Sequence, residues 1–256
     1  MSDDPKSPPP APPAPAVTGP STAVPPAAGF SSAGPATVSP PASKRLFVGV
    51  RVSVQTANAL ASTAESLQRR AKDAGLDVKW VPPVNYHATL KFLGWTREDA
   101  IGAVRDALDT ALAGVTGFKF RTARLGAFPS LEAASVLWAG VEANALDDLA
   151  RRVESALEGI GYAAETRPFH AHVTLGRLRE TRPVKDVVLP LSEQMFSDTR
   201  VDGVSLLETE MKSSSSAYKE IHRIGFKAAP GEQKRQTGAV ELGDETDDGW
   251  PRGHSH

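Results

Sequence analysis

The feature that most constrains this chain is a short pattern that occurs twice. Pro82-Pro83-Val84-Asn85-Tyr86-His87-Ala88-Thr89-Leu90 returns as Pro168-Phe169-His170-Ala171-His172-Val173-Thr174-Leu175: a proline, an aromatic residue, then His-x-Thr-Leu. Each copy follows a helical stretch, so the repeat predicts two similar lobes facing each other across a pseudo-twofold axis, with both histidines in the cleft between them. Side chains alternate along a strand, which puts His87 and Thr89 on one face and Ala88 and Leu90 on the other. His172 and Thr174 stand in the same relation to Val173 and Leu175. In each copy the apolar pair anchors the strand and the polar pair is presented.

Two imidazoles facing one phosphate can act as general base and general acid, because an ordinary histidine pKa near ~6.5 makes both protonation states accessible around neutral pH. The threonine hydroxyls two residues on can donate hydrogen bonds to non-bridging phosphate oxygens as charge builds. A single His-x-Thr-Leu is ordinarily a satisfied histidine beside a core leucine. A duplicated polar face with matching upstream context has no packing purpose, and it favours phosphoester chemistry. The competing reading is a zinc site on His170 and His172, which share a strand face by alternation. It needs a converging carboxylate or third histidine, and the sequence has no His-Glu-x-x-His or comparable cluster.

Composition divides the 256 residues unevenly. More than half of the prolines precede Lys44, and residues 1–43 are a Pro/Ala-rich arm too poor in apolar surface to fold. Residues 230–256 form an acidic, solvated tail around Glu241, Asp244, Glu245, Asp247 and Asp248. Residues 44–229 are the folded domain. The absence of cysteine removes disulfides, thiolate nucleophiles, iron–sulfur clusters and cysteine-ligated zinc. No apolar run is long enough to span a bilayer and no signal peptide is evident, so the expectation is a soluble, cytoplasmic protein that does not associate with membranes. A formal net charge of −1 does not exclude nucleic acid, because the acidic tail masks the basic residues around the motifs.

Periodicity predicts a strand over Arg45–Val52, a helix from Ser53 ended by Gly75, strands over Val78–Val81 and Tyr86–Leu93, and a second helix capped by Thr96 and stopped at Gly114. Strands over Phe118–Phe128 and Ser135–Val141, a helix over Asn144–Ile160, and strands at His172–Leu178, Val201–Met211 and Ala217–Lys227 follow, the last two joined by the serine run Ser213–Ser216. The class is α+β: a bilobal arrangement of two antiparallel-rich sheets facing a central cleft, with helices outside.

At the level of motifs the chain resembles the two-histidine phosphoesterase superfamily, in its branch of bacterial RNA 2′,3′-cyclic phosphodiesterases, also called the 2′-5′ RNA ligase family. The resemblance rests on Arg45-Leu46-Phe47-Val48, Trp80-Val81-Pro82-Pro83 leading to His87-Ala88-Thr89-Leu90-Lys91-Phe92-Leu93-Gly94, and Leu125-Gly126-Ala127-Phe128-Pro129 with Val136-Leu137-Trp138. Arg167-Pro168-Phe169 before His172-Val173-Thr174-Leu175-Gly176-Arg177, and a closing strand around Tyr218, complete it. It implies hydrolysis of a 2′,3′-cyclic phosphate at an RNA end to a 2′-phosphate, with no cofactor and no metal. It further implies His87 as proton donor and His172 as proton acceptor, an assignment that the residues alone leave reversible. Thr89, Thr174 and Arg177 map onto phosphate-binding positions. Strict alternation puts Arg177 on the wrong face, and Gly176 can permit a bulge that turns it inward. Phe92, Lys91 and Tyr218 are candidate RNA contacts: Phe92 as a stacking surface or as core, Lys91 as a backbone contact on the His87 face or as a solvated lysine. Ala171 stands where the family usually has proline, which leaves the place of His170 open. His222 reads as structural or surface.

The alternatives to a cyclic phosphodiesterase are the reverse reaction, 2′-5′ joining of a cyclic end to a 5′-hydroxyl, and a non-catalytic module that holds RNA ends or nucleotides. The expected partner is an RNA or oligonucleotide bearing a 2′,3′-cyclic phosphate, and the expected state is a monomer.

Overall fold

The fold is known from a computed structural model, which describes residues 42–211 and 216–228. The amino-terminal arm, apart from its last two residues, and the acidic tail lie outside the described residues, as do Ser213–Ser215 of the serine run.

The chain runs β1 (Ser43–Arg51), α1 (Val54–Asp73), β2 (Val78–Trp80), β3 (His87–Arg97), α2 (Ile101–Leu112), β4 (Phe118–Phe128), β5 (Ala134–Glu142), α3 (Asn144–Glu158), β6 (His172–Arg182), α4 (Lys185–Val188), β7 (Met195–Val201), β8 (Gly203–Met211) and β9 (Ser216–Gly225). The nine strands form one sheet in the order β7-β4-β5-β6-β3-β1-β8-β9, with β2 also paired to β6. The two expected sheets are therefore one, nearly divided at its middle. β3 and β6 share the single pair Ala88↔Val173, and β2 then takes over the same edge of β6 through Val78↔Leu178 and Trp80↔Gly176. Apart from β2, the order is symmetric about that pinch: β3, β1, β8, β9 on one side answer β6, β5, β4, β7 on the other.

The helices pack crosswise. α1 lies against β7 of the second lobe, whereas α3 lies against β3 of the first and against α2. Each lobe's helix thus covers its partner's strands, which ties the halves together despite the thin strand junction. Their inner faces, with Leu60, Leu67, Leu146, Val153 and Leu157, join Leu46, Val48, Val50, Val173 and Leu175 in one apolar core. α1 starts where its cap demands: the Ser53 hydroxyl accepts from the Thr56 amide at 3.1 Å.

Thr96 does not cap a helix. Pairing of β3 with β1 continues to Ser43↔Arg97, Thr96 is buried opposite Lys44, and the Tyr162 hydroxyl donates to its Oγ1 at 3.4 Å. A 3-10 turn, Glu98–Ala100, leads into α2 instead. Strand pairing outweighed a local capping signal. β7 and α4 carried no clear periodicity and were not expected from the sequence. Among the described residues no helix is long and apolar enough to cross a membrane.

Candidate active site

Both histidines begin a strand, β3 and β6, and both are held by the same backbone device. The turn before His87 exposes the Asn85 carbonyl, which accepts from His87 Nδ1–H at 2.6 Å; His170 O accepts from His172 Nδ1–H at 2.7 Å. A carbonyl can only accept, so each ring carries its neutral-state proton on Nδ1 and leaves Nε2 as the reactive nitrogen. The pair Ala88↔Val173 sets the geometry between them. In an antiparallel register it places His87 across from Thr174 and Thr89 across from His172, all on the face opposite the core, with the two imidazoles as diagonal neighbours about 7–8 Å apart along the backbone. That spacing admits one phosphoryl group between two side chains that reach toward each other.

Each imidazole is backed by aromatic rings. His87 meets Phe47 at a centroid distance of 4.8 Å and the edge of Tyr218 at 5.0 Å. Gly49 makes this seat possible, since a Cβ there would lie 3.4 Å from the His87 ring and 3.0 Å from Ala88 O. His172 meets Phe128 at 5.0 Å, and His170 lies between Phe128 and Trp138 at 5.2 and 4.9 Å. His170 precedes the strand and lies beside His172 as part of its wall. Among the described residues, no group of three His, Asp or Glu converges as a metal-holding cluster.

Arg177 follows Gly176 on β6, exposed and on the His172 face. β6 holds one more residue than β5 between Leu137↔Gly176 and Trp138↔Thr174, so Leu175 is bulged and the alternation shifts. Gly176 serves a close approach: a Cβ there would lie 2.8 Å from Val78 and 3.0 Å from the Trp80 ring. The first copy has the same irregularity, between Val48↔Lys91 and Gly49↔Thr89. That bulge turns Lys91 away from His87, contrary to the alternation argument. Lys91 is neither an RNA contact nor a solvated lysine; its Nζ is buried and donates to Glu154 Oε1 at 2.6 Å and Ala163 O at 2.8 Å. Phe92 takes the cleft face in its place, 62% exposed and 6.0 Å from Phe47, and so is not core. His222 is a surface group whose Nε2 pairs with Asp109 at 2.8 Å.

The charges acting on the two imidazoles are cationic. Burial first, then Arg51, His172 and Arg177, hold His87 down to about 4, against the raising effect of its bond to Asn85. Burial, then His170 and Arg177, lower His172 as well. Burial raises the Tyr218 phenol, while Arg177 and Arg45 oppose it. Among the described residues Arg177 and Arg45 have no carboxylate at ion-pair distance, whereas Arg97, Arg121, Arg124, Arg151, Arg167, Arg179, Arg182 and Arg223 each have one. Arg51 donates to the carbonyls of Val84 and Tyr218 at 3.2 Å each. Sequence reasoning passed over its part here. Its alternation with Phe47 and Gly49 on β1 was the available signal. A cleft with unpaired guanidinium groups and two neutral imidazoles is built for an anion that accepts and gives up protons.

The sequence model of the family described as LigT like Phosphoesterase matches residues 52–138 and 140–218. Curated relatives include an RNA 2′,3′-cyclic phosphodiesterase of Archaeoglobus fulgidus, 32% identical over 146 residues, spanning 56% of this chain and 81% of the relative. A second RNA 2′,3′-cyclic phosphodiesterase, from Aeropyrum pernix, is 32% identical over 157 residues, spanning 59% and 87%. The fold matches TT0787 of Thermus thermophilus with a TM-score of 0.61 at 24% identity, over 72% of this chain and 98% of that one. It also matches E. coli LigT complexed with 3′-AMP, with a TM-score of 0.55 at 20% identity, over 72% and 99%.

Proposed function

Because this chain belongs to the LigT-like phosphoesterase family, we propose that it opens the 2′,3′-cyclic phosphate at an RNA end, as the names of its curated relatives state for them. The observation that carries this reading is the paired imidazole geometry: two rings with Nδ1 locked on carbonyls, Nε2 left for the cleft, and Arg177 beside them with no carboxylate at ion-pair distance among the described residues. Residues 44–229 form the catalytic domain, working as a monomer in the cytoplasm and needing no cofactor or metal.

Water attacks phosphorus opposite the 3′ oxygen while His172 Nε2 takes its proton. The P–O3′ bond breaks, His87 Nε2–H gives its proton to O3′, and a 2′-phosphate end remains. Thr89 and Thr174 donate to the non-bridging oxygens, and Arg177 offsets the charge that builds on them. In the unliganded protein His87 is the harder of the two to protonate, since burial beside Arg51 and Arg177 holds it at about 4. The phosphate anion opposes those guanidinium charges, so His87 takes up its proton together with the substrate.

The test is product analysis on a defined RNA bearing a 2′,3′-cyclic end, with a chelator present. A 2′-phosphate product is expected; a 3′-phosphate product or loss of turnover on chelation contradicts the scheme. His172→Ala separates a catalyst from a binding module, since it removes turnover while RNA binding remains measurable.

A further inference from the structure

Strand β3 carries a second large aromatic side chain beyond Phe92 that the chemistry above leaves unused: Trp95, 74% exposed. Its place follows from register. Across β1 the pairs are His87 with Arg51, Thr89 with Gly49, Phe92 with Phe47, and Trp95 with Arg45. Residues 51, 49, 47 and 45 alternate along one strand and share one face, so two irregularities in β3, at Leu90 and at Leu93, bring all four of its side chains to the cleft side. Rows two residues apart lie about 7 Å apart, and the whole row from His87 to Trp95 spans about 20 Å. Arg45, at the far end, is exposed and has no carboxylate at ion-pair distance among the described residues, and its charge reaches Tyr218.

A single exposed aromatic on a surface is commonplace. Two in register with the catalytic histidine, the outer one paired across the strand with a guanidinium that has no carboxylate at ion-pair distance among the described residues, make a track of two stacking surfaces with positive charge at its far end, a combination that holds single-stranded nucleic acid. Chemistry fixes its direction. A nucleotide that carries a 2′,3′-cyclic phosphate is joined to the rest of the RNA only through its 5′ oxygen, so the track has one strand to receive.

Resting on the phosphodiesterase reading, we propose that Trp95 and Arg45 form a second nucleotide subsite. The terminal base stacks on Phe92, the penultimate base stacks on Trp95, and Arg45 meets the phosphate that joins them. The substrate is then an oligonucleotide end, and a cyclic mononucleotide leaves half of the track empty.

The test compares a nucleoside 2′,3′-cyclic monophosphate with a trinucleotide ending in the same group. The full-length enzyme should favour the trinucleotide in kcat/KM. Trp95→Ala should raise KM for the trinucleotide on the order of tenfold, from the loss of one base stack, and leave the mononucleotide unchanged. Trp95→Phe should recover most of the loss, and Arg45→Gln should weaken the trinucleotide more than the mononucleotide and flatten its salt dependence. Equal kinetics of Trp95→Ala and wild type on the trinucleotide, or equal losses on both substrates, overturn the subsite and give this face to another occupant, such as residues 1–41 or a second copy. Binding of the trinucleotide with a 2′-phosphate end, followed by the anisotropy of a fluorophore on its 5′ end, reads the subsite without turnover. Weaker binding by Trp95→Ala in an enzyme that opens neither substrate would keep the subsite and sink the phosphodiesterase reading instead.

Discussion

The two copies of the motif share a backbone and differ in what surrounds it. In both, the ring is fixed by a carbonyl two residues upstream, a threonine follows on the same face, and a bulge follows at the leucine. The second residue after the leucine then faces the cleft, and there the copies part: Phe92 in the first, Arg177 in the second. One position earlier, Lys91 is buried on Glu154 in the first copy, while Gly176 admits Val78 and Trp80 in the second. What duplication preserved is the device that aims an imidazole. What diverged is the side chain presented after the bulge, an aromatic ring in the first copy and a guanidinium in the second, and on the proposed reading these divide the holding of base and phosphate.

That division can be broken at its most sensitive point first. Arg177→Ala should lower kcat by about 10²-fold or more, as loss of a charge that stabilises the transition state does; Phe92→Ala should chiefly raise KM, by roughly tenfold. Steady-state kinetics on a cyclic-ended RNA separates the two, and equal kcat losses would show that the lobes are not specialised. Lys91→Ala tests the other asymmetry. It removes the buried ammonium from a part-exposed carboxylate that still accepts from the Glu165 amide at 2.8 Å, and leaving such a group short of a partner should cost about 1–3 kcal/mol in urea unfolding. A smaller effect belongs to pH. His87 and His172 are easier to protonate in the unfolded chain than in the fold, so their contribution to stability is full above the unfolded value near 6.5 and is lost as pH falls below it, for His87 down to about 4. Thermal unfolding across that window should show the slope, and His87→Gln should flatten more of it than His172→Gln.

The placement of the motif residues was legible in the sequence because the motif is written twice. His87, Thr89, His172 and Thr174 fall on one cleft face by alternation and a single pair of register partners. Legibility failed where alternation failed. Nothing local announces that Leu90 bulges, yet that one residue sends Lys91 inward and Phe92 outward; at Arg177 a bulge was expected at Gly176, and it falls one residue earlier, at Leu175. Thr96 carried every sign of a cap, but the pairing of β3 with β1 ran past it. The merging of the expected two sheets into one through Ala88↔Val173, and the crosswise packing of α1 and α3, are long-range facts that no window of sequence contains.

The pairing of the imidazoles on one phosphorus is tested most directly by His87→Ala, His172→Ala and the double variant, assayed on the same cyclic-ended RNA. If the rings act as one acid–base unit, each single variant should lose about 10²–10⁴-fold in turnover, and the double variant should fall little further. Multiplicative losses, or a single variant that turns over like wild type, would show that the two histidines do not work on a common atom.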